Sequence, residues 1–231
     1  MTFLLQSLQA LLFPPACISC GDCLSTPRHV FCADCLAALV RLDARERCPV
    51  CFQLLEAPQC FSCKESCAGF RIAGVFLYDS PASALLKQLK YGAREELAPT
   101  MASWMVVQFN ELNFPWPDAI ISVPQSFPRR IVRGYNPNKQ LASAMSELMR
   151  VPLLRPLRRT WTALPQAGKD ADERTSMSHD EFSLHSAKAL ADKNILLIDD
   201  VITTGTTIKR CVEALQPSFP RSLNALGFCL A

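Results

Sequence analysis

The stretch from Ile195 to Thr207 reads ILLIDDVITTGTT and decides the fold class. Four apolar residues predict a buried strand, two acids follow them, and a loop rich in threonine then leads into a helix. In open α/β sheets, ligands bind at the carboxyl ends of the strands. Backbone N–H groups at a helix start, together with the positive end of the helix dipole, suit a phosphate dianion. The candidate phosphate-binding residues are therefore Thr203, Thr204, Gly205, Thr206 and Thr207.

The two acids of this stretch, Asp199 and Asp200, are candidate ligand-binding and catalytic residues. They are expected to lie about one ribose away from the loop and to accept hydrogen bonds from the 2′- and 3′-hydroxyls. The alternative is an Asp-Asp turn that only caps the helix. Two adjacent buried acids cost several kcal/mol unless they are satisfied, which favours ligand binding.

Strands and helices alternate around this stretch, which predicts an α/β fold with a doubly wound parallel sheet flanked by helices. Apolar runs predict strands at residues 70–78, 118–123, 193–198 and 222–229. Periodic apolar residues predict helices after residue 80, at 94–109, after 136 and at 206–215. The third helix is expected to bury Leu141, Ala144, Met145 and Leu148. Residues 156–181 are polar without a clear period and predict a long loop.

Cysteines are concentrated near the N-terminus, because 10 of the 12 lie between Cys17 and Cys67. Each CxxC turn places two thiolates on one side of a tight knuckle, and two knuckles complete a tetrahedral zinc site. The alternative, disulfides or redox-active cysteines, belongs to an oxidising compartment or to catalysis. Four such pairs predict two structural zinc sites, with the ligands Cys17, Cys20, Cys32, Cys35, Cys48, Cys51, Cys60 and Cys63.

The pairing of these knuckles is left open by their spacing. Sequential pairing is the simplest arrangement, and a cross-braced pairing fits as well. Cys23 and Cys67 are left over, and Cys23 is close enough to Cys20 to replace a ligand. A segment of about 50 residues with so few apolar side chains depends on metal binding for its folding energy.

Residues 1–13 (MTFLLQSLQALLF) lack a positive start and carry polar residues within the apolar run. This pattern predicts a short amphipathic helix and not a signal peptide. The sequence contains no run of about 18 apolar residues, so it predicts no membrane span. The sequence thus predicts a cytoplasmic chain with three parts: a helix at 1–13, a double zinc ribbon at 14–68 and an α/β domain at 69–231.

Basic residues cluster beyond the predicted strand that ends near Pro124. Their charge would lie at the mouth of the same crevice as the acid pair. It suits a pyrophosphate group or a nucleic-acid backbone, and the alternative is a solvated basic surface. The net charge of +3 decides little by itself. The clustered residues are Arg129, Arg130, Arg133 and Lys139.

Four motifs together resemble the ComF family. They are the CxxC array, LKYG at Leu89–Gly92, the Val123-Pro124 pair and RRIVRGYN at Arg129–Asn136. The stretch ILLIDDVITTGTT looks like the signature of type I phosphoribosyltransferases. The resemblance covers nearly the whole chain. It implies a type I phosphoribosyltransferase fold that binds phosphoribosyl pyrophosphate with magnesium, behind an N-terminal zinc-ribbon module. It also matches Arg174 to a basic residue of the family's loop near the ligand.

The resemblance further implies a role in natural transformation and DNA uptake, with single-stranded DNA and proteins of the DNA-uptake machinery as partners. The alternative function is an active phosphoribosyltransferase, a pentosyl transferase of nucleotide metabolism with an unidentified acceptor. A transferase specific for one base needs a hood that reads the base. The sequence shows no such hood unless the zinc ribbons supply it, which favours binding over turnover.

Overall fold

The structure is a computed structural model that describes residues 14–26, 29–55, 60, 69–125, 135–160 and 181–231. Several sequence predictions lie outside these residues. They are the helix at 1–13, and the roles of Cys63, Cys67, Arg129, Arg130, Arg133 and Arg174.

Five parallel strands form the central sheet, in the order β1-β7-β6-β2-β3. A separate antiparallel pair is formed by β4 and β5. The α/β class with a parallel sheet, predicted from the sequence, is confirmed. The strands are β1 (Phe70–Leu77), β2 (Ala119–Ser122), β3 (Leu153–Leu154), β4 (Leu157–Arg159), β5 (Phe182–Leu184), β6 (Asn194–Ile202) and β7 (Ser222–Leu230).

The four longer helices bury one apolar face each, whereas the five-residue helix before β1 has no buried residue. Short 3₁₀ turns lie at Ala44–Glu46, Glu95–Leu97 and Gln216–Ser218. The helices of the described residues are α1 (Ala33–Ala37), α2 (Ala82–Tyr91), α3 (Ala98–Glu111), α4 (Pro137–Met149) and α5 (Thr206–Leu215). Helix α5 buries Ile208, Cys211, Val212 and Leu215, as its period predicted. Across the described part of the chain, no helix combines the length and the apolar character that crossing a bilayer requires.

Three local predictions were wrong. Strand β6 does not end before the acids but continues to Ile202, because β7 pairs with it as far as Leu230. Residues 157–159 are not loop, since they pair with β5, a partner distant in sequence. Leu148 is 52% exposed, and Asn138 lies on the buried side of α4 instead.

The antiparallel pair is joined to helix α5 by one carboxylate. Glu181, which directly precedes β5, accepts hydrogen bonds from Arg159 of β4 and from Arg210 of α5. Its side chain is largely buried. The pair β4–β5 is therefore anchored to the helix that follows the phosphate loop.

The cysteine-rich segment covers the edge of the sheet formed by β1. The backbone N–H of Ile72 donates to Val50 O at 2.7 Å, and Leu42 N–H donates to Val75 O at 2.9 Å. The buried amide of Gln108 on α3 donates to Leu42 O at 2.9 Å. Unpaired strand edges invite association with other chains, and this packing removes the exposed edge.

Candidate phosphoribosyl and metal sites

The crevice of the sheet lies between β2 and β6. From β2 the chain continues to β3 on one side, and from β6 it continues to β7 on the other. Such a reversal of strand order opens a ligand crevice at the carboxyl ends of the two strands. The structure therefore brings the end of β2, at Val123, next to Asp199 and Asp200 near the end of β6.

Asn138, in the first turn of α4, fixes the geometry of this crevice. Its side-chain N–H donates to Asp199 Oδ1 at 2.7 Å and to Val123 O at 3.2 Å, while its Oδ1 accepts from Asp200 N–H at 3.1 Å. Sequence reasoning missed this residue. The sequence did contain a signal. Asn138 precedes Leu141 and Ala142 by three and four residues and therefore lies on the same helix face, and a buried polar side chain is normally hydrogen-bonded.

The two acids have different surroundings. Burial, followed by the charge of Asp200, raises the pKa of Asp199 to about 7, although hydrogen bonds from Asp200 N–H and Asn138 and the charge of Lys90 oppose the rise. Asp200 forms an ion pair with Lys90 of α2, with Nζ 2.8 Å from Oδ1. At neutral pH, Asp199 thus binds a proton part of the time, whereas Asp200 lies beside the ammonium group of Lys90.

Replacing Lys90 with Met should lower the stability of the folded chain by about 2 kcal/mol. The two side chains of the pair are only 16% and 12% exposed, so Asp200 would keep a buried charge without its partner. Thermal unfolding of the metal-loaded protein measures the loss. Adding Asp200→Asn should restore part of it, because the uncompensated charge is then gone. A Lys90→Met protein as stable as the unaltered chain would contradict this account.

The loop after β6 has the backbone expected of an anion site. Gly205 has φ of +72°, a conformation that glycine adopts without steric cost, and a Cβ there would lie 3.0 Å from Ile72 Cδ1. Gly205 is also the N-cap of α5 and offers no side chain. Thr206 N–H donates to Thr204 Oγ1 at 3.4 Å, and the following N–H groups of the first helical turn are left for a ligand. Thr203, Thr204 and Thr206 are exposed around it.

One buried acceptor lies next to this crevice without a partner. Among the described residues, Gln125 Oε1 is inaccessible to solvent and accepts no hydrogen bond. Gln125 follows β2 by three residues, at the mouth of the crevice. A buried amide oxygen without a donor costs about 1–3 kcal/mol, which a ligand hydroxyl or a metal-bound water would recover.

The cysteines gather into two clusters. Within each cluster, the Sγ atoms lie within 4.8 Å of one another. The predicted fourth member of the second cluster, Cys63, is outside the described residues. The exposed Cys23 belongs to neither. The grouping within the described residues is the sequential one: Cys17, Cys20, Cys32 and Cys35, then Cys48, Cys51 and Cys60.

The chemistry of both clusters fits zinc. Tetrahedral zinc with bonds of about 2.3 Å to sulfur places its ligands about 3.8 Å apart. The Sγ atoms of Cys20 and Cys32 are 3.6 Å apart, and those of Cys51 and Cys60 are 3.5 Å apart. Burial raises the pKa of Cys17, yet backbone hydrogen bonds from Cys20 and Cys32 outweigh it and lower the pKa to about 6, while the pKa values of Cys20 and Cys35 are raised, so the cluster without metal favours a thiolate at Cys17 first. Thiolates are the form that binds metal.

The leading knuckles of the two clusters, Cys17–Cys20 (the first knuckle) and Cys48–Cys51 (the second knuckle), share one backbone design. Gly21 N–H donates to Cys17 O at 2.9 Å, and Phe52 N–H donates to Cys48 O at 3.0 Å. Gly21 has φ of +84°, whereas Phe52 reaches φ of +60° at the same place. Phe52 is 2% exposed and packs in the core, so burial of its ring offsets the unfavourable backbone conformation.

The basic residues are only partly described. Lys139 is exposed in the first turn of α4, beside the Asn138 that holds the acid pair. The segment 126–134, with the three clustered arginines, connects the end of β2 to Tyr135. Tyr135 donates a hydrogen bond through its hydroxyl to Leu89 O on α2.

Comparisons with known proteins agree with this site. Residues 132–226 match the family described as Phosphoribosyl transferase domain. The chain is 26% identical to Competence protein F of Haemophilus influenzae over 227 residues, which is 93% of this chain and 96% of that protein. It is 26% identical to DNA utilization protein YhgH of Salmonella typhi, over 89% of this chain and 92% of that one.

Two further comparisons are less close. Competence protein ComFC of Streptococcus pneumoniae is 25% identical over 87% of this chain and 93% of that protein. The solved structure of the allosteric regulatory enzyme of purine biosynthesis covers 62% of this chain and 30% of its own, at 16% identity and a TM-score of 0.44. Residues 132–226 are thus similar to a phosphoribosyl transferase domain, and the chain is similar over most of its length to the Competence protein F and ComFC proteins, as its motifs predicted.

Proposed function

We propose that this protein binds phosphoribosyl pyrophosphate with magnesium in the cytoplasm and handles single-stranded DNA during its uptake in natural transformation. The observation that carries the ligand is the acid pair at the end of β6. Asn138 and Lys90 contact it beside the Gly205 loop, and the acid pair, Asn138 and the loop all lie within residues 132–226, which match the phosphoribosyl transferase family. The names of the relatives, Competence protein F and DNA utilization protein, support the DNA role.

Each part of the ligand has a matching part of the protein. Asp200 and Asp199 would accept hydrogen bonds from the ribose hydroxyls, and the residues Thr203–Thr207 would hold the 5-phosphate through backbone N–H groups. Magnesium prefers oxygen ligands and keeps several waters. Because both carboxylates already have protein partners, the ion would arrive bound to the pyrophosphate oxygens and supply charge neutralisation there. Two structural zincs would hold the cysteine clusters.

Titration calorimetry with phosphoribosyl pyrophosphate and magnesium tests the binding site, and saturable binding is the expected result. The alternative function is turnover by a phosphoribosyltransferase. A pyrophosphate-release assay with candidate bases and with DNA separates the two. Binding without release in any reaction supports the binding role, and release with one acceptor would identify a transferase. If phosphoribosyl pyrophosphate does not bind, both the binding role and the transferase role are contradicted.

Changing Arg129, Arg130 and Arg133 together to Ala should weaken binding of single-stranded DNA at every sequence. Each lost phosphate contact on a single strand lowers the log–log salt slope by about 0.7, so the slope should flatten by about 2. Filter binding across a salt series measures it.

The control for this triple variant is Lys188→Ala, an exposed cation in the turn before β6. It should leave the slope unchanged. If the triple variant loses phosphoribosyl pyrophosphate binding but keeps DNA binding, the cluster serves the pyrophosphate group. Normal binding of both ligands would assign these arginines to the solvated surface.

A further inference from the structure

A cavity of about 310 Å³ separates the phosphate loop from the second cysteine knuckle. Thr203–Thr206 line one side, and Val50, Cys51 and Gln53 line the other. Apolar side chains, among them Ile72, complete the lining. The volume is at the lower end of small-ligand pockets, which start at about 300 Å³. A module that is separate in sequence thus contributes a wall to the pocket beside the phosphate loop.

The knuckle is coupled to the phosphate loop through β1. Ile72 N–H donates to Val50 O at 2.7 Å, and Val50 N–H in turn donates to the Sγ atom of Cys48 at 3.4 Å. The side chain of the same Ile72 leaves only 3.0 Å to the place where a Cβ of Gly205 would be. One residue therefore contacts both walls, and the position of the knuckle depends on its cysteines.

Two polar side chains line the cavity from opposite walls. Gln53 is exposed to it, and its amide forms no hydrogen bond with a described residue. Lys209, in the first turns of α5, is exposed and has no ion pair within the described part of the chain. An amide N–H from one wall of the cavity, and an ammonium group from the wall formed by the loop and α5, suit a phosphate.

The corresponding position of the first knuckle shows what distinguishes Gln53. Cys17 N–H donates to Asp22 O at 2.7 Å, and Cys48 N–H donates to Gln53 O at 2.9 Å, so Asp22 and Gln53 are equivalent. The first knuckle carries an acid there, and the second carries a neutral amide. Since the cysteine thiolates are already negative, an acid at position 53 would repel an anionic ligand, and a neutral donor would not.

We propose that the second cysteine knuckle is part of the ligand site, and that Gln53 contacts the phosphate of the ligand from the side opposite the Thr203–Thr206 loop. Lys209 contributes the cation. The metal at Cys48, Cys51 and Cys60 holds the turn that carries Gln53. This inference rests on the proposed phosphoribosyl site. It identifies the cysteine module as a wall of that site and not only as a structural appendage.

Calorimetry with ribose 5-phosphate and the full zinc-loaded chain tests the proposal. Gln53→Ala should raise Kd about tenfold, because a hydrogen bond to a charged group is lost. Gln53→Glu should raise it further and make binding more sensitive to salt, since a like charge then faces the phosphate. Asp22→Ala is the matched control at the equivalent position and should leave Kd unchanged. Elemental analysis verifies that all three variants retain their zinc.

The outcomes separate this inference from the proposed function. The inference is supported if Gln53→Ala raises the Kd for ribose 5-phosphate about tenfold at unchanged zinc content, while Asp22→Ala leaves the Kd unchanged. If the Gln53→Ala and Gln53→Glu variants bind ribose 5-phosphate normally while a chain with both Asp199→Asn and Asp200→Asn does not, the cysteine module is not part of the site and the phosphoribosyl site stands. If the unaltered chain binds no ribose 5-phosphate, both fail together.

Discussion

The Cys48→Ala variant should contain about one zinc per chain, where the unaltered protein, purified under reducing conditions, should contain about two. Cys48 is 3% exposed, and its Sγ atom is clustered with those of Cys51 and Cys60. Apparent binding free energies of structural zinc in small modules are about 10–16 kcal/mol, so loss of one ligand should unfold the knuckle. Proteolysis should then cut within residues 46–55, which the bound metal should protect in the unaltered chain.

Cys23→Ala is the control for this variant. Cys23 is exposed and lies outside both clusters, so this change should leave about two zincs and the original protease resistance. Elemental analysis and limited proteolysis measure both quantities. A metal-free protein with intact disulfides would contradict the zinc assignment. Loss of one zinc from Cys23→Ala would instead mean that Cys23 replaces a ligand.

The paired change of Asp199→Asn and Asp200→Asn should weaken binding of phosphoribosyl pyrophosphate at least about a hundredfold. Two charged acceptors are lost, and hydrogen bonds to charged groups contribute about 1.5–3 kcal/mol each. The fold should survive with reduced stability: burial already disfavours the charge of Asp199, but Lys90, whose side chain is 16% exposed, loses its ion-pair partner Asp200. Calorimetry at pH 8, where Asp199 is mostly ionised in the unaltered chain, gives the largest contrast.

Asp192→Asn is the matched control for the acid pair. Asp192 is exposed and forms a surface ion pair with Arg221, so its loss should leave the affinity unchanged. Circular dichroism and unchanged zinc content would verify that the double variant is folded. Full affinity in a folded double variant would place the ligand elsewhere.

Local sequence patterns predicted the elements of the fold. The run Ile195–Ile198 predicted a central strand, and the period of Ile208, Cys211, Val212 and Leu215 predicted the buried face of α5. These signals are local, because burial on one face imposes the period of the element on its own residues. The spacing of the CxxC pairs is equally local, and it predicted the cysteines that cluster.

Local sequence patterns could not predict contacts between residues that are far apart in the chain. The strand β4 forms only by pairing with β5, and the extension of β6 through Asp199 and Asp200 depends on β7. The role of Asn138 required knowledge of the strand order that brings β2 beside β6. Strand pairing is determined by residues far apart in the chain, so no window of sequence contains it.

The sequence by itself determined which chemistry is present: thiolates in CxxC knuckles, an acid pair at the end of a buried strand, and a threonine-rich loop before a helix. Residue types and short spacings define these groups. Only the tertiary structure decided their neighbours. It paired Lys90 with Asp200, placed Asn138 across the crevice, and put Gln53 of the cysteine module opposite the phosphate loop. The physical reason is that the core packs elements from the whole chain together, and the contacts across a cavity follow from that packing.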